Sequence, residues 1–205
     1  MIGVDFDNTL AIYGESLHQI AVERQLISPN VQKDKNAIRA AVRALEKGEL
    51  EWQKLQGAVY GPGIRRAEFA HGAPSFFKCC SERGLSVSII SHKTEYATQD
   101  ETHTNLRIAA MDWMTEHEFF GPDGLGIDPK NVFFESTRRA KLERISKLGC
   151  TTFIDDLEET FLEASFPQQV VKILYRPEGP VMDLPEVKTV RSWREIEDHV
   201  FGILH

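Results

Sequence analysis

"IGVDFDNTLAIY", residues 2–13, sets an apolar run directly against two aspartates, Asp5 and Asp7, with Thr9 two residues further on. Alone, the stretch has two readings. Asp and Asn favour turns, because their side chains hydrogen-bond nearby backbone groups. In the other reading, a buried strand delivers two carboxylates to the edge of a sheet. The rest of the chain decides between them.

Short β-rich runs recur along the sequence: "MIGVD" (1–5), "LSVSIIS" (85–91), "NVFFE" (131–135), "CTTFID" (150–155), "VVKILY" (170–175) and "KTVRS" (188–192). Helical patterns lie between them, such as Leu106, Ala109, Ala110, Trp113 and Met114, or Leu142, Ile145 and Leu148. This alternation predicts an α/β fold, a parallel sheet between two layers of helices. Gly84 reads as a helix end before the second strand. Residues 14–73 break the rhythm. They hold no convincing strand, but Ile38, Ala41, Val42 and Leu45 recur at helical spacing and "ELEWQKLQ" (49–56) follows. The segment is too long for a crossover loop. It reads as a helical insertion, with "VYGPG" (59–63) as a turn inside it.

The totals narrow the function. The chain has 205 residues and a net charge of −7, with no long basic run. Broad nucleic-acid binding needs clustered Lys and Arg and is disfavoured. No window reaches the roughly 18 apolar residues of a membrane span, and the N-terminal run lacks the basic flank of a signal peptide. The three cysteines, Cys79, Cys80 and Cys150, show neither zinc spacing nor a disulfide framework. The expectation is a cytoplasmic, reduced protein with no membrane partner. The negative total does not exclude a small anionic substrate, because a local cation can override it.

Ligands of open parallel sheets bind beyond the carboxyl ends of the strands. There the first strand presents Asp5 and Asp7, the second Ser91 followed by His92 and Lys93, and the fourth Asp155 and Asp156. Lys141 falls in the first turns of the helix after the third strand. Two unit charges 4 Å apart cost about 4 kcal/mol at an effective dielectric of 20. Such a cluster of acids therefore takes up protons or a cation. Oxygen-only ligands suit a hard divalent ion such as Mg²⁺. One aspartate can attack while the other, two residues on, moves a proton.

These motifs resemble those of the haloacid-dehalogenase-like (HAD) hydrolase superfamily. "DFDNT" is similar to its Asp-x-Asp-x-Thr motif, "SIIS" to its apolar strand ending in Ser or Thr, Lys141 to its helix lysine, and "TFIDD" to its strand ending in paired acids. Any one is weak; all four in order are specific. The resemblance implies a Rossmann-like core over 1–13 and 74–205 with a small helical cap of the C1 type over 14–73. The glycines of "YGES" (13–16) and "HGAPS" (71–75) read as its hinges, since glycine tolerates the backbone change.

It also implies roles. Asp5 would be the nucleophile, already ionised and needing no base. Asp7 would protonate the leaving oxygen and then deprotonate water. Ser91 and Lys141 would hold phosphoryl oxygens, with Thr9 beside them orienting the loop. Mg²⁺ would be held by Asp5, by Asp7 through its backbone carbonyl, and by Asp155 or Asp156. Members that dehalogenate lack the second acid, since a halide needs no proton. The expected activity is therefore Mg²⁺-dependent hydrolysis of a small phosphorylated metabolite. A phosphomutase and a non-catalytic phosphate- or partner-binding module are the alternatives. The substrate and the oligomeric state stay open, as does the choice between Lys141 and Lys130. His92 and Lys93 flank the site with no direction assigned. In the cap, Trp52, Gln56 and Tyr60 are candidates for substrate contact or for core.

Overall fold

The protein is described by a computed structural model over residues 1–99, 102–178 and 184–202. The chain order is β1 (Ile2–Val4), β2 (Ala11–Ile12), α1 (Gly14–Glu23), α2 (Lys35–Arg43), α3 (Gly48–Tyr60), β3 (Glu68–Phe69), α4 (Ala73–Glu82), β4 (Val87–His92) and α5 (Leu106–Glu116). It continues with β5 (Val132–Glu135), α6 (Arg138–Lys147), β6 (Thr152–Asp155), α7 (Glu158–Leu162), β7 (Val171–Tyr175), β8 (Val187–Val190) and α8 (Trp193–Phe201). It divides into two compact units. One comprises Met1–Leu10, Phe69–Lys93 and His117–His205; the other comprises Ala11–Glu68 and Thr94–Glu116.

The first unit is an α/β, Rossmann-like domain. Its six-stranded sheet runs in the order β5-β4-β1-β6-β7-β8, and every adjacent pair is parallel. All six strands expected from the sequence are present. The central ones are continuous apolar runs because helices flank the sheet and deny them a wet face. Gly3 of β1 is required by packing: a Cβ there would come within 2.6 Å of the Phe153 ring and 3.1 Å of Cys150 Sγ. Ile90, Leu142, Ile145, Phe153, Phe161 and Leu174 form part of one core cluster. Farther along the sheet, Phe76 of α4 and Trp193 of α8 pack with ring centroids 5.3 Å apart. The expected cap at the end of α4 is in place, with Gly84 at φ +66°.

The second unit is mainly helical. Asp34 caps α2 by accepting from the backbone N–H groups of Asn36 and Ala37. Ile38, Val42, Trp52, Leu55 and Val59 are buried. The "VYGPG" turn ends α3 at Tyr60 and leads into a 3-10 turn over Pro62–Arg66. This unit also takes in α5, which the sequence reading grouped with the sheet. Leu106, Ala110, Trp113 and Met114 form the buried face of α5. The Trp113 indole donates to the Ala67 carbonyl oxygen at 3.2 Å, which ties the helix to the segment after the 3-10 turn. The sequence reading set the inserted segment at 14–73; the second compact unit comprises 11–68 and 94–116.

Candidate active site

The two carboxylates of the opening stretch leave β1 through a tight loop. Asn8 takes a left-handed φ of +58°, a conformation Asn tolerates better than most residues. The Leu10 N–H donates to the Phe6 carbonyl at 2.9 Å and closes the turn. Phe6, between the two acids, is buried and meets Phe134 edge-on.

Lys141 brings the elements together. Thr137 caps α6 by accepting from the Ala140 N–H at 3.1 Å, which sets Lys141 in the first turns of the helix. Its ammonium lies 2.6 Å from Asp5 Oδ1 and 2.7 Å from Asp155 Oδ2. All three side chains are buried. The second oxygen of Asp155 accepts from the Leu157 N–H at 2.9 Å, so Asp155 also holds the turn after β6. Asp5, Asp155 and half-buried Asp156 each offer a carboxylate oxygen, and these atoms lie within 4.8 Å of one another. The Asp7 side chain is outside this group; the contribution expected of Asp7 is through its backbone carbonyl.

One buried cation thus faces at least two buried acids. The Asp5 carboxyl is raised to about 7: burial pushes it up most, Lys141 pulls it down, and Asp155 pushes it up. Burial works against charge on Lys141, but Asp155 and Asp5 outweigh it and hold its pKa above the ordinary lysine value. A charged Lys141 is shared between the Asp5 and Asp155 side chains. Hard oxygen donors with residual negative charge are the donor set that Mg²⁺ takes.

The remaining residues sort by position. Ser91 is buried at the end of β4, in register with Phe134 of β5. Thr9 is fully buried, and its hydroxyl has no hydrogen-bond partner among the described residues. Lys130 belongs to a short 3-10 turn before β5 and is exposed. His92 is exposed and its Nε2 lies 3.2 Å from the Ser136 carbonyl oxygen. Burial lowers its pKa against the pull of that carbonyl.

Lys93 is the residue the sequence reading left without a direction. It is only 3% exposed, and its ammonium contacts both oxygens of Asp7, at 3.0 and 2.8 Å. The signal was available in strand alternation: residues i and i+2 share a face, so inward Ser91 implies inward Lys93 and outward His92. All of these residues belong to the sheet unit.

No family model and no curated protein matches the sequence. Solved structures do. A HAD hydrolase of family IA, variant 3, from Entamoeba histolytica is 10% identical with a TM-score of 0.59, over 95% of this chain and 93% of that one. A magnesium-bound putative HAD hydrolase from Bacillus subtilis is 12% identical with a TM-score of 0.55, over 98% of each chain. A dehalogenase is 14% identical with a TM-score of 0.54, over 95% of this chain and 94% of that one. The chain has the fold of the HAD superfamily.

Proposed function

We propose that the protein is a phosphatase that hydrolyses a small phosphomonoester through an aspartyl-phosphate on Asp5. The observation that carries this reading is the Asp5–Lys141–Asp155 cluster beside a second acid, Asp7, that stands apart on its own lysine.

Asp5 attacks phosphorus as the bond to the leaving oxygen breaks, and Asp7 gives that oxygen its proton. Water then attacks the phosphorus of the aspartyl-phosphate while Asp7 takes the proton from it. The bond to Asp5 breaks, and inorganic phosphate and free Asp5 result. Ser91 and Lys141 hold the phosphoryl oxygens through both steps, which is the positioning and charge stabilisation that phosphoryl transfer demands. A Mg²⁺ ion held by Asp5, the Asp7 carbonyl and Asp155 or Asp156 would supply further positive charge to the transferring group. The three-carboxylate cluster supports that assignment.

Dehalogenation fits less well, although one structural neighbour is a dehalogenase. A departing halide needs no proton, so it gives Asp7 no task. The substrate class that uses every group is a phosphomonoester whose alkoxide must be protonated as it leaves. The test is release of inorganic phosphate from a panel of phosphorylated metabolites with Mg²⁺ present, using Asp5→Asn as the control. Release by wild type alone is the expected result. No release from any member, alongside halide release from halo acids, would overturn the reading.

A further inference from the structure

The geometry points to Lys93 as the positioning residue of Asp7: a buried ammonium that clamps the proton-transferring carboxylate in its working orientation. This inference rests on the phosphatase reading above. The Lys93 side chain is 2% exposed and that of Asp7 is 20% exposed. The carboxylate is therefore held from inside the protein and open on its other side. Both of its oxygens meet the one ammonium, at 3.0 and 2.8 Å. The clamp is itself fixed, since the Lys93 backbone N–H donates to the Glu135 carbonyl at 2.9 Å, tying it to the end of β5. The Lys93 ammonium also lies 5.5 Å from the centre of the Phe6 ring, the residue between the two acids.

Burying an ammonium is costly unless it is paired. An apolar side chain of similar volume often fills such a place with equal or better stability. A charge placed here therefore has a task beyond packing. The two lysines divide the Asp-x-Asp pair between them: Lys141 takes Asp5 and Asp155, and Lys93 takes Asp7. Without Lys93, Asp7 loses the contact that engages both of its oxygens. Proton transfer depends on aim within a few tenths of an ångström, so a loose carboxylate transfers poorly.

The test compares Lys93→Met and Lys93→Arg with wild type on two substrates in Mg²⁺. One is an alkyl phosphate, glycerol phosphate, whose leaving oxygen needs a proton. The other is a nitrophenyl phosphate, whose leaving group departs as a stable anion. The parameter is kcat/KM, which reports the steps up to departure of the leaving group and not the later hydrolysis of the phospho-enzyme. Lys93→Met should lower kcat/KM on the alkyl phosphate about 100-fold, in the range that a general acid contributes. On the nitrophenyl ester the loss should be a few-fold, and Lys93→Arg should recover part of the alkyl rate.

In an Asp7→Asn background, adding Lys93→Met should cost nothing further, since its partner is already gone. In that double variant neither charge of the pair remains, so it decides the matter even where Lys93→Met alone does not fold. Equal losses on both substrates, or a full additional loss on top of Asp7→Asn, would overturn the assignment and make Lys93 a phosphoryl-binding or structural group. A wild type that releases phosphate from neither substrate nor from any phosphorylated metabolite of the panel would instead sink the phosphatase reading itself.

Discussion

The ammonium of Lys141 lies 2.6 Å from Asp5 Oδ1, and both side chains are buried. That contact joins a helix residue to the first strand's terminal acid across 136 positions of sequence. Because Asp155 shares the same ammonium at 2.7 Å, Lys141 is a structural counter-ion as well as the group proposed to hold phosphoryl oxygens.

Lys141→Met removes the cation and leaves two buried carboxylates facing each other. Breaking a buried ion pair from one side costs about 3–5 kcal/mol. Thermal melts in chelator should show a fall of roughly 10 °C for a chain of this size. Phosphate release should drop to background. An unchanged melting temperature would show that the pair contributes nothing to the fold.

Asp5 gives a pH dependence of definite sign. Its folded-state pKa is raised from 3.8 to about 7, with burial as the largest cause. Between those values the folded protein binds more protons than the unfolded chain, so this group's contribution makes stability fall as pH rises through that window. Above the folded value the contribution levels off. In chelator, the wild type should lose more stability between pH 5 and pH 8 than Asp5→Asn does. Asp5→Asn should melt no lower than wild type at pH 8 while its turnover is abolished. Parallel stability profiles for the two proteins would contradict the raised pKa.

Divalent cation should act on both stability and rate. An ion bound only by the folded state adds about 2.7 kcal/mol at 100 times its dissociation constant. Mg²⁺ should raise the melting temperature of wild type and restore activity after chelation. It should do much less for Asp155→Asn, which weakens the cluster of Asp5, Asp155 and Asp156. Ca²⁺ should stabilise but support turnover poorly, since its looser coordination misplaces reacting groups. Full activity in metal-free protein would remove the ion from the chemistry.

The sheet was legible because a strand buried on both faces leaves an uninterrupted apolar run, and each such run ends in a chemically distinctive residue: Asp5, Ser91 or Asp155. Lys141 was one of two lysines left open by the sequence; the fold sets it against Asp5, while Lys130 lies in an exposed turn. Lys93 was not legible, because the strand reads as ending at Ser91, whereas β4 runs through His92 and alternation still governs the next side chain. The place of α5 was also hidden. Its apolar face is the same whether it packs on a sheet or on helices, and the Trp113–Ala67 hydrogen bond distinguishes the two cases.

Trp52 shows the same ambiguity and supplies the last prediction. On the sequence it is a candidate for touching the organic part of a substrate or for packing inside the inserted segment. The structure makes it 3% exposed on α3, with Leu55, Ala58 and Val59 of the same helix also buried. A side chain so covered has little surface to offer a ligand. Trp→Ala in a core costs about 3–5 kcal/mol, through lost burial and the cavity left behind. Trp52→Ala should therefore lower the melting temperature by about 10 °C and reduce kcat/KM by the same factor on a nitrophenyl phosphate and on the best metabolite in the panel. A selective loss on the metabolite, with the melting temperature intact, would return Trp52 to the substrate and mean that the indole becomes accessible during turnover.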